Sequence, residues 1–283
     1  MKKPNVRIER QEAKDLRITN YELRNTQYEP RNTLAIIQAR MASSRLPGKV
    51  LLDIAGEPML LRVVERSRRA SNLDRVVVAT TGDPSDDAVA GLCLQRGVDC
   101  YRGSMHDVLD RYYQAAKHFG AEVVVRLTAD CPLIDPGLID QAVEELNRTG
   151  ADFVANRLPP PWRRTYPIGL DVEVCTFEAL ARAWSEADQP QDREHVMPYL
   201  YEVEGRFHTV LLHNEPDYGY LRWTVDTRED LELIRRVYAH FAGQDDFSWL
   251  DVLDLFQKEP QLAEINAQVK HKTAFDVDER RET

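Results

Sequence analysis

Three short apolar runs limit the folds open to this chain. They are Leu34-Ala35-Ile36-Ile37, Val76-Val77-Val78-Ala79-Thr80 and Val123-Val124-Val125-Arg126-Leu127. They lack regular polar alternation, as expected of strands covered on both faces. Helical periodicities stand between and after them. Met59, Leu60, Val63 and Val64 share one face, with Pro58 at a favoured helix start. Val108, Leu109, Tyr112, Ala116 and Phe119 form a second face, after Ser104-Met105-His106-Asp107, which reads as a capping box. Leu138, Ile139, Ala142, Val143 and Leu146 form a third, opened by Asp135-Pro136. Strands alternating with helices predict an α/β domain with a largely parallel central sheet.

Residues 1–32 are polar and mixed in charge, and are expected to be a disordered or mis-annotated extension. The folded domain is expected over 33–258. Within it, prolines cluster in Leu158-Pro159-Pro160-Pro161-Trp162, and Gly169-Leu170-Asp171-Val172-Glu173-Val174 alternates like a strand. An inserted acceptor or dimer region is therefore expected at about 155–215. The main sheet should resume at 220–225, followed by a helix carrying Leu231, Ile234, Val237, Tyr238 and Phe241. A C-terminal helix and polar tail are expected over 259–283.

The chain is 43% hydrophobic with a net charge of −10, so it can build a core but lacks the overall basic character of a general nucleic-acid binder. Its four cysteines form no CxxC pair and no zinc-finger spacing, which fits reduced thiols and a cytoplasmic location. No run approaches the ~20 apolar residues of a membrane span, so no membrane partner is expected.

The first run leads into Gln38-Ala39-Arg40-Met41-Ala42-Ser43-Ser44-Arg45-Leu46-Pro47-Gly48-Lys49. Lys49 is followed by Val50 and Ser43 stands where a Walker A loop needs glycine, so that motif is excluded; a GxGxxG dinucleotide loop is absent too. Three cations, two serines and Pro-Gly directly after a buried strand suit a triphosphate. Ser43 and Ser44 offer hydroxyl and N–H groups. Arg40 and Arg45 offer bidentate pairing, and Lys49 a point charge.

Two carboxylates follow apolar segments. Asp130, in Thr128-Ala129-Asp130-Cys131-Pro132, suits Mg²⁺ or a simple turn. Asp226 precedes a second capping box, Thr227-Arg228-Glu229-Asp230, which accounts for Asp230 but not for Asp226. Together with the cationic loop these acids make a parts list for metal-assisted phosphoryl-group transfer. Arg164, Tyr166, Gly169, Asp171 and Glu173, on a Pro/Gly-bent segment, suit either a polyhydroxylated acceptor or a structural hairpin. His195 is either a contact to that acceptor or a structural histidine.

The assembled motifs resemble the cytidylyltransferase family of the spore-coat polysaccharide biosynthesis protein F type, relatives of the acylneuraminate and Kdo cytidylyltransferases. The matching stretches are Ile37-Gln38-Ala39-Arg40 with Arg45-Leu46-Pro47-Gly48-Lys49, Asp130-Cys131-Pro132-Leu133-Ile134-Asp135, Arg111-Tyr112-Tyr113, residues 166–173, residues 192–195 and Arg222-Trp223-Thr224-Val225-Asp226-Thr227. The resemblance implies a Rossmann-like three-layer α/β/α sandwich of the nucleotide-diphospho-sugar transferase type, usually dimeric. It implies CTP as donor and a sugar, often a keto acid, as acceptor. Carried over by position, Arg40, Arg45 and Lys49 hold the triphosphate, Gln38 and Thr80 lie near base or ribose, Asp130 and Asp226 bind Mg²⁺, and residues 164–173 face the sugar. Ala42 and Ala129 stand where relatives commonly have glycine, which puts positive φ and added methyl groups in question.

The expected activity is therefore transfer of CMP from CTP to a sugar with release of pyrophosphate. One alternative is a glycosyltransferase on the same fold, although its Asp-x-Asp pattern occurs here only at Asp276-Val277-Asp278. A second is an inactive nucleotide-binding relative.

Overall fold

Buried runs with their ladder bonds on both sides can only sit inside a sheet, and they do so here. The computed structural model describes residues 31–158 and 164–270. Residues 1–30 of the expected extension, the proline cluster at 159–163 and Asp276-Val277-Asp278 lie outside the described residues.

The strands are Thr33–Gln38 (β1), Asp53–Ile54 (β2), Glu57–Pro58 (β3), Arg75–Thr81 (β4), Asp99–Gly103 (β5), Val123–Thr128 (β6), Phe153–Ala155 (β7), Glu173–Thr176 (β8) and Thr209–Leu211 (β9). Among the described residues, seven of them form one sheet in the order β5-β4-β1-β6-β8-β7-β9, and β2 and β3 make a small hairpin. All neighbours in the large sheet are parallel except that β8 runs against both β6 and β7. The expected α/β class and mostly parallel sheet are thus observed.

Helices cover both faces. Met59–Ser67 (α1), Asp87–Arg96 (α2), Pro136–Thr149 (α4), Arg228–His240 (α8) and Trp249–Lys258 (α9) supply one apolar layer. Val108–His118 (α3), Phe177–Glu186 (α5) and Pro198–Tyr201 (α7) supply the other, with Pro190–His195 (α6) leading into α7. Alternate residues of β1 divide between the layers, Ala35 and Ile37 on one side, Leu34 and Ile36 on the other. This alternation within an all-apolar strand makes the sandwich three layers thick.

Sequence signals set the helix starts. Asp135 caps α4, accepting from Leu138 N, with Pro136 at the first position. The capping box at Thr227 and Asp230 opens α8. At α3 the expectation needs correcting. The cap is Asp107, which accepts from Asp110 N, while the Ser104 hydroxyl accepts from Asp107 N at 3.0 Å. Replacing Thr227→Ala should cost about 1 kcal/mol, the usual worth of such a cap. An unchanged urea midpoint would show that the cap contributes nothing.

The segment 220–225, expected to rejoin the sheet, is not a strand. Its ladder position beside β6 is taken by β8 (Val123 opposite Thr176). The segment instead crosses the carboxyl end of β6, with one bridge between Ile168 and Arg222. Its backbone is tied by Val225 N to Asp130 O (2.8 Å) and Trp223 N to Ile168 O (2.6 Å). Among the described residues the last α-helix is α9, ending at Lys258, and a 3-10 turn at Pro260–Glu264 follows.

Candidate active site

The site begins where β1 and β6 end side by side. Backbone bonds continue past the strands: Ala39 N donates to Ala79 O (3.1 Å) and Ala129 N to Gln38 O (3.0 Å). Both loops therefore leave the sheet at a fixed angle, at the carboxyl ends of strands where open α/β sheets collect ligands. The first loop is also pinned in its middle. Buried Asp86 accepts from Met41 N at 2.6 Å and from the Thr81 hydroxyl at 2.5 Å. Gly48, at φ +69°, closes the turn by donating to Met41 O (2.9 Å). A Cβ at Gly48 would stand 3.3 Å from Met41 Cε.

A cavity of about 230 Å³ lies over these strand ends. Its wall contains Gln38, Arg40, Ser43, Ser44, Arg45, Lys49, Asp130 and Asp226, which come from segments up to 188 positions apart, together with Ala42, Val50, Thr128 and Ala129. Among the described non-glycine residues, positive φ occurs at Ala55, Val196 and Ala242. Neither Ala42 nor Ala129 is strained, so the missing glycines demand no special backbone. A second cavity of about 580 Å³ adjoins the first through Arg40 and Ala42 and is lined by Thr81, Ser85, Asp86, Met105, His106 and Val108, with Pro190 and Glu194 from α6. Both Thr80 and Thr81 are fully buried, and it is Thr81 that stands in the wall of this cavity. Alternation along a strand sends adjacent side chains to opposite faces.

The two acids meet at one ammonium. Lys49 Nζ donates to Asp130 Oδ2 (2.7 Å), Asp226 Oδ1 (2.9 Å) and Val225 O (2.8 Å). Burial pulls the Lys49 ammonium down, but the two carboxylates outweigh it and hold the group above its usual value. Asp226 also pairs with Arg45 (2.9 Å) and Arg222 (2.7 Å). Burial raises Asp226, and the cations Lys49, Arg222 and Arg45 more than reverse this, leaving it well below the ordinary carboxylate range. So placed, the Asp226 carboxylate is held in its charged form by three cations. Arg222 is fixed from behind by Asp230 (2.9 Å), the acid of the capping box that opens α8.

Among the described residues no cluster of three or more His, Cys, Asp or Glu is placed to hold a metal. Two hard-oxygen donors converging on one cation do fit Mg²⁺, which takes one or two protein carboxylates and completes its shell with water and phosphate oxygens. The ammonium shows that a cation is accommodated between them.

The residues expected to face an acceptor separate into two groups. Arg164 pairs with Asp171 through both nitrogens, Nη2 to Oδ2 at 3.0 Å, and Arg157 Nε lies 3.8 Å from the same carboxylate. Glu173 is buried against Arg126. Burial lowers the His195 imidazole, which senses Glu194, Arg126, Arg157 and Glu173. These groups form a polar cluster. Tyr166 instead belongs to the core, buried with its ring 5.7 Å from Trp249. Gly169 serves the backbone: at φ +106° it lies where a Cβ would come within 2.6 Å of Trp223 C and Thr224 N. Sequence reasoning passed over Arg126, Arg157, Arg222 and Asp86. Arg126 and Arg222 had a signal, a lone charge inside an otherwise apolar run.

The fold is α/β, and its cavity sets a cationic loop against paired acids, an arrangement suited to a nucleotidyltransferase. The family model described as cytidylyltransferase matches residues 34–248, and the chain belongs to that family. It is 31% identical over 240 residues to the spore coat polysaccharide biosynthesis protein SpsF of Bacillus subtilis, covering 81% of this chain and 96% of that protein. It is 34% identical over 225 residues to a 3-deoxy-manno-octulosonate cytidylyltransferase of Parvibaculum lavamentivorans, covering 74% and 82%. A solved cytidylyltransferase of Leptospira borgpetersenii superposes with a TM-score of 0.78 at 34% identity, covering 85% of this chain and 100% of that one.

Proposed function

We propose that the protein is a Mg²⁺-dependent cytidylyltransferase that moves CMP from CTP to a sugar acid, releasing pyrophosphate, within polysaccharide or glycoconjugate synthesis. The observation that carries this is the cavity in which Arg40, Arg45, Ser43 and Ser44 share a wall with Asp130 and Asp226. The family supplies the nucleotide, and the activity named for the Parvibaculum relative supports a keto acid as acceptor.

The acceptor hydroxyl oxygen attacks the α-phosphorus as the bond from that phosphorus to the oxygen bridging to the β-phosphate breaks, and the hydroxyl proton passes to solvent. The loop cations Arg40 and Arg45 hold the departing pyrophosphate, where negative charge builds. Asp130 and Asp226 would hold Mg²⁺, whose charge neutralises phosphate oxygens when bound. The unpartnered, buried Gln38 Oε1 at the cavity edge is available to a nucleoside donor. The adjoining cavity has room for base and ribose, with Thr81 in its wall. Arg157, Arg164 and His195, beside Asp171 and Glu173, provide the acceptor contacts. The region 155–215 is proposed as the acceptor and dimer-forming part of a cytoplasmic homodimer, a state that sedimentation measures.

The test is pyrophosphate release from CTP with a panel of sugar acids, with and without Mg²⁺. Turnover is expected with at least one sugar acid, and Asp130→Asn should lower it about 10²–10³-fold while the melting temperature stays near that of wild type. Release of a nucleoside diphosphate from a nucleotide sugar would favour the glycosyltransferase instead. CTP binding with no turnover on any acceptor would favour an inactive relative.

A further inference from the structure

We propose that Lys49 couples the two ligands of this site: its ammonium holds the acid pair closed until a triphosphate draws it away, and only then do Asp130 and Asp226 become a good metal site. The inference rests on the functional reading above, which supplies both ligands.

An ammonium has three donors. All three of Lys49 are used, on Asp130, Asp226 and the Val225 carbonyl. In this arrangement none is left for a phosphate, although Lys49 stands in the wall of the cavity beside Arg45 and the two serines. The same arrangement is poor for a divalent ion. One oxygen of each acid is committed to the ammonium, and a second cation between the acids would meet a full positive charge at contact distance. Lys49 therefore cannot serve phosphate, and the acids cannot serve a metal, until the side chain moves.

The surroundings permit that movement. The Lys49 backbone is fixed in the 3-10 turn Lys49–Leu51, with its N–H on Leu46 O (3.2 Å), while the four-carbon stem keeps rotatable bonds. Asp226 stays in place when the ammonium leaves, because Arg45 and Arg222 still hold it. Among the described residues, Lys49 is the cation paired with Asp130, so Asp130 is the acid whose charge is uncovered. A triphosphate on the loop offers Lys49 several anionic oxygens close by. Its transfer from acids to phosphates favours the nucleotide and the metal together. By linkage, each ligand then tightens the other by the same factor.

The experiment measures two affinities separately in Lys49→Met and wild type: Mn²⁺ alone by electron paramagnetic resonance, and CTP in EDTA by calorimetry. The substitution should tighten Mn²⁺ about tenfold or more and weaken metal-free CTP about tenfold or more. Opposite signs are the signature, because a merely structural strut would weaken both. Unchanged or weaker Mn²⁺ binding in the variant overturns the proposal, as does unchanged CTP binding. Should Lys49→Met fail to fold, the wild-type protein labelled with ¹⁵N-lysine decides. The slowly exchanging ammonium signal of a triply bonded Lys49 should disappear on saturation with CTP in EDTA, and its survival overturns the proposal. Wild-type protein that binds neither CTP nor Mn²⁺ removes the functional reading as well, which separates the two failures.

Discussion

Asp226→Asn should lower turnover about 10²–10³-fold and also destabilise the fold by about 3 kcal/mol, the cost of breaking a buried ion pair from one side. The double effect follows from its position. Asp226 joins Lys49, Arg45 and Arg222, and its backbone N–H donates to Asp230. Removing its charge takes from Lys49, Arg45 and Arg222 the acid they share, leaving Asp130 on Lys49 and Asp230 on Arg222 to balance them. The expected drop in melting temperature is roughly 6–12 °C. Asp130→Asn removes a single ion partner and should spare stability, so the pair of variants separates ligand binding from support. The pH dependence has a definite sign. The Asp226 carboxyl is held below its ordinary value of 3.8, so the stability it contributes is fully present above that pH. This stability is lost as pH falls below 3.8 toward the lower folded value. Wild type and variant should therefore converge in stability only in strong acid. Equal melting temperatures at pH 7 would show that the cation cluster does not depend on Asp226.

Gly169→Ala is expected to cost about 3 kcal/mol or more, although the change adds one methyl group to a loop. At φ +106° any L side chain is strained. The new Cβ would also stand 2.6 Å from Trp223 C and Thr224 N and 2.9 Å from Trp223 O, all backbone atoms with no rotamer to relieve the clash. The loop cannot retreat freely, because Ile168 bonds Leu221 O (2.9 Å) and accepts from Trp223 N (2.6 Å). The strain passes to the site. Thr224 and Val225 bond the carbonyl of Asp130, so pushing this segment outward moves Asp226 and Asp130 relative to each other. The variant should lose activity as well as stability, with kcat falling more than the apparent CTP affinity. A melting temperature equal to wild type would show that Gly169 does not pack against the 223–224 backbone.

Some of the site was readable before any coordinates. The loop from Gln38 to Lys49 carries its chemistry in a contiguous stretch, so its cations and serines were identified together. Asp130 and Asp226 stood out because local capping left Asp226 unexplained. Elsewhere local pattern misled. Tyr166 looked like a polar contact, yet its ring packs on Trp249. The end of a strand does not announce which of two adjacent threonines enters a cavity wall, and here Thr81 does. Residues 220–225 read as a strand because they are apolar and β-prone, while the ladder beside β6 was taken by the shorter run at β8. Arg126 and Arg222 carried the signal of a lone charge in an apolar run, but their roles, like that of Arg157, depend on acids in other segments of the chain.

By itself the sequence determined the α/β class, the parallel core and the starts of α4 and α8, because periodicity and capping act over a few residues. The tertiary structure alone decided that Lys49 lies between acids 81 and 177 positions away, that Asp226 is ringed by three cations, and that Gly169 must stay bare against Trp223. Such relations depend on which carboxyl ends of strands lie side by side, and that is set by sheet order, which no short window of residues contains.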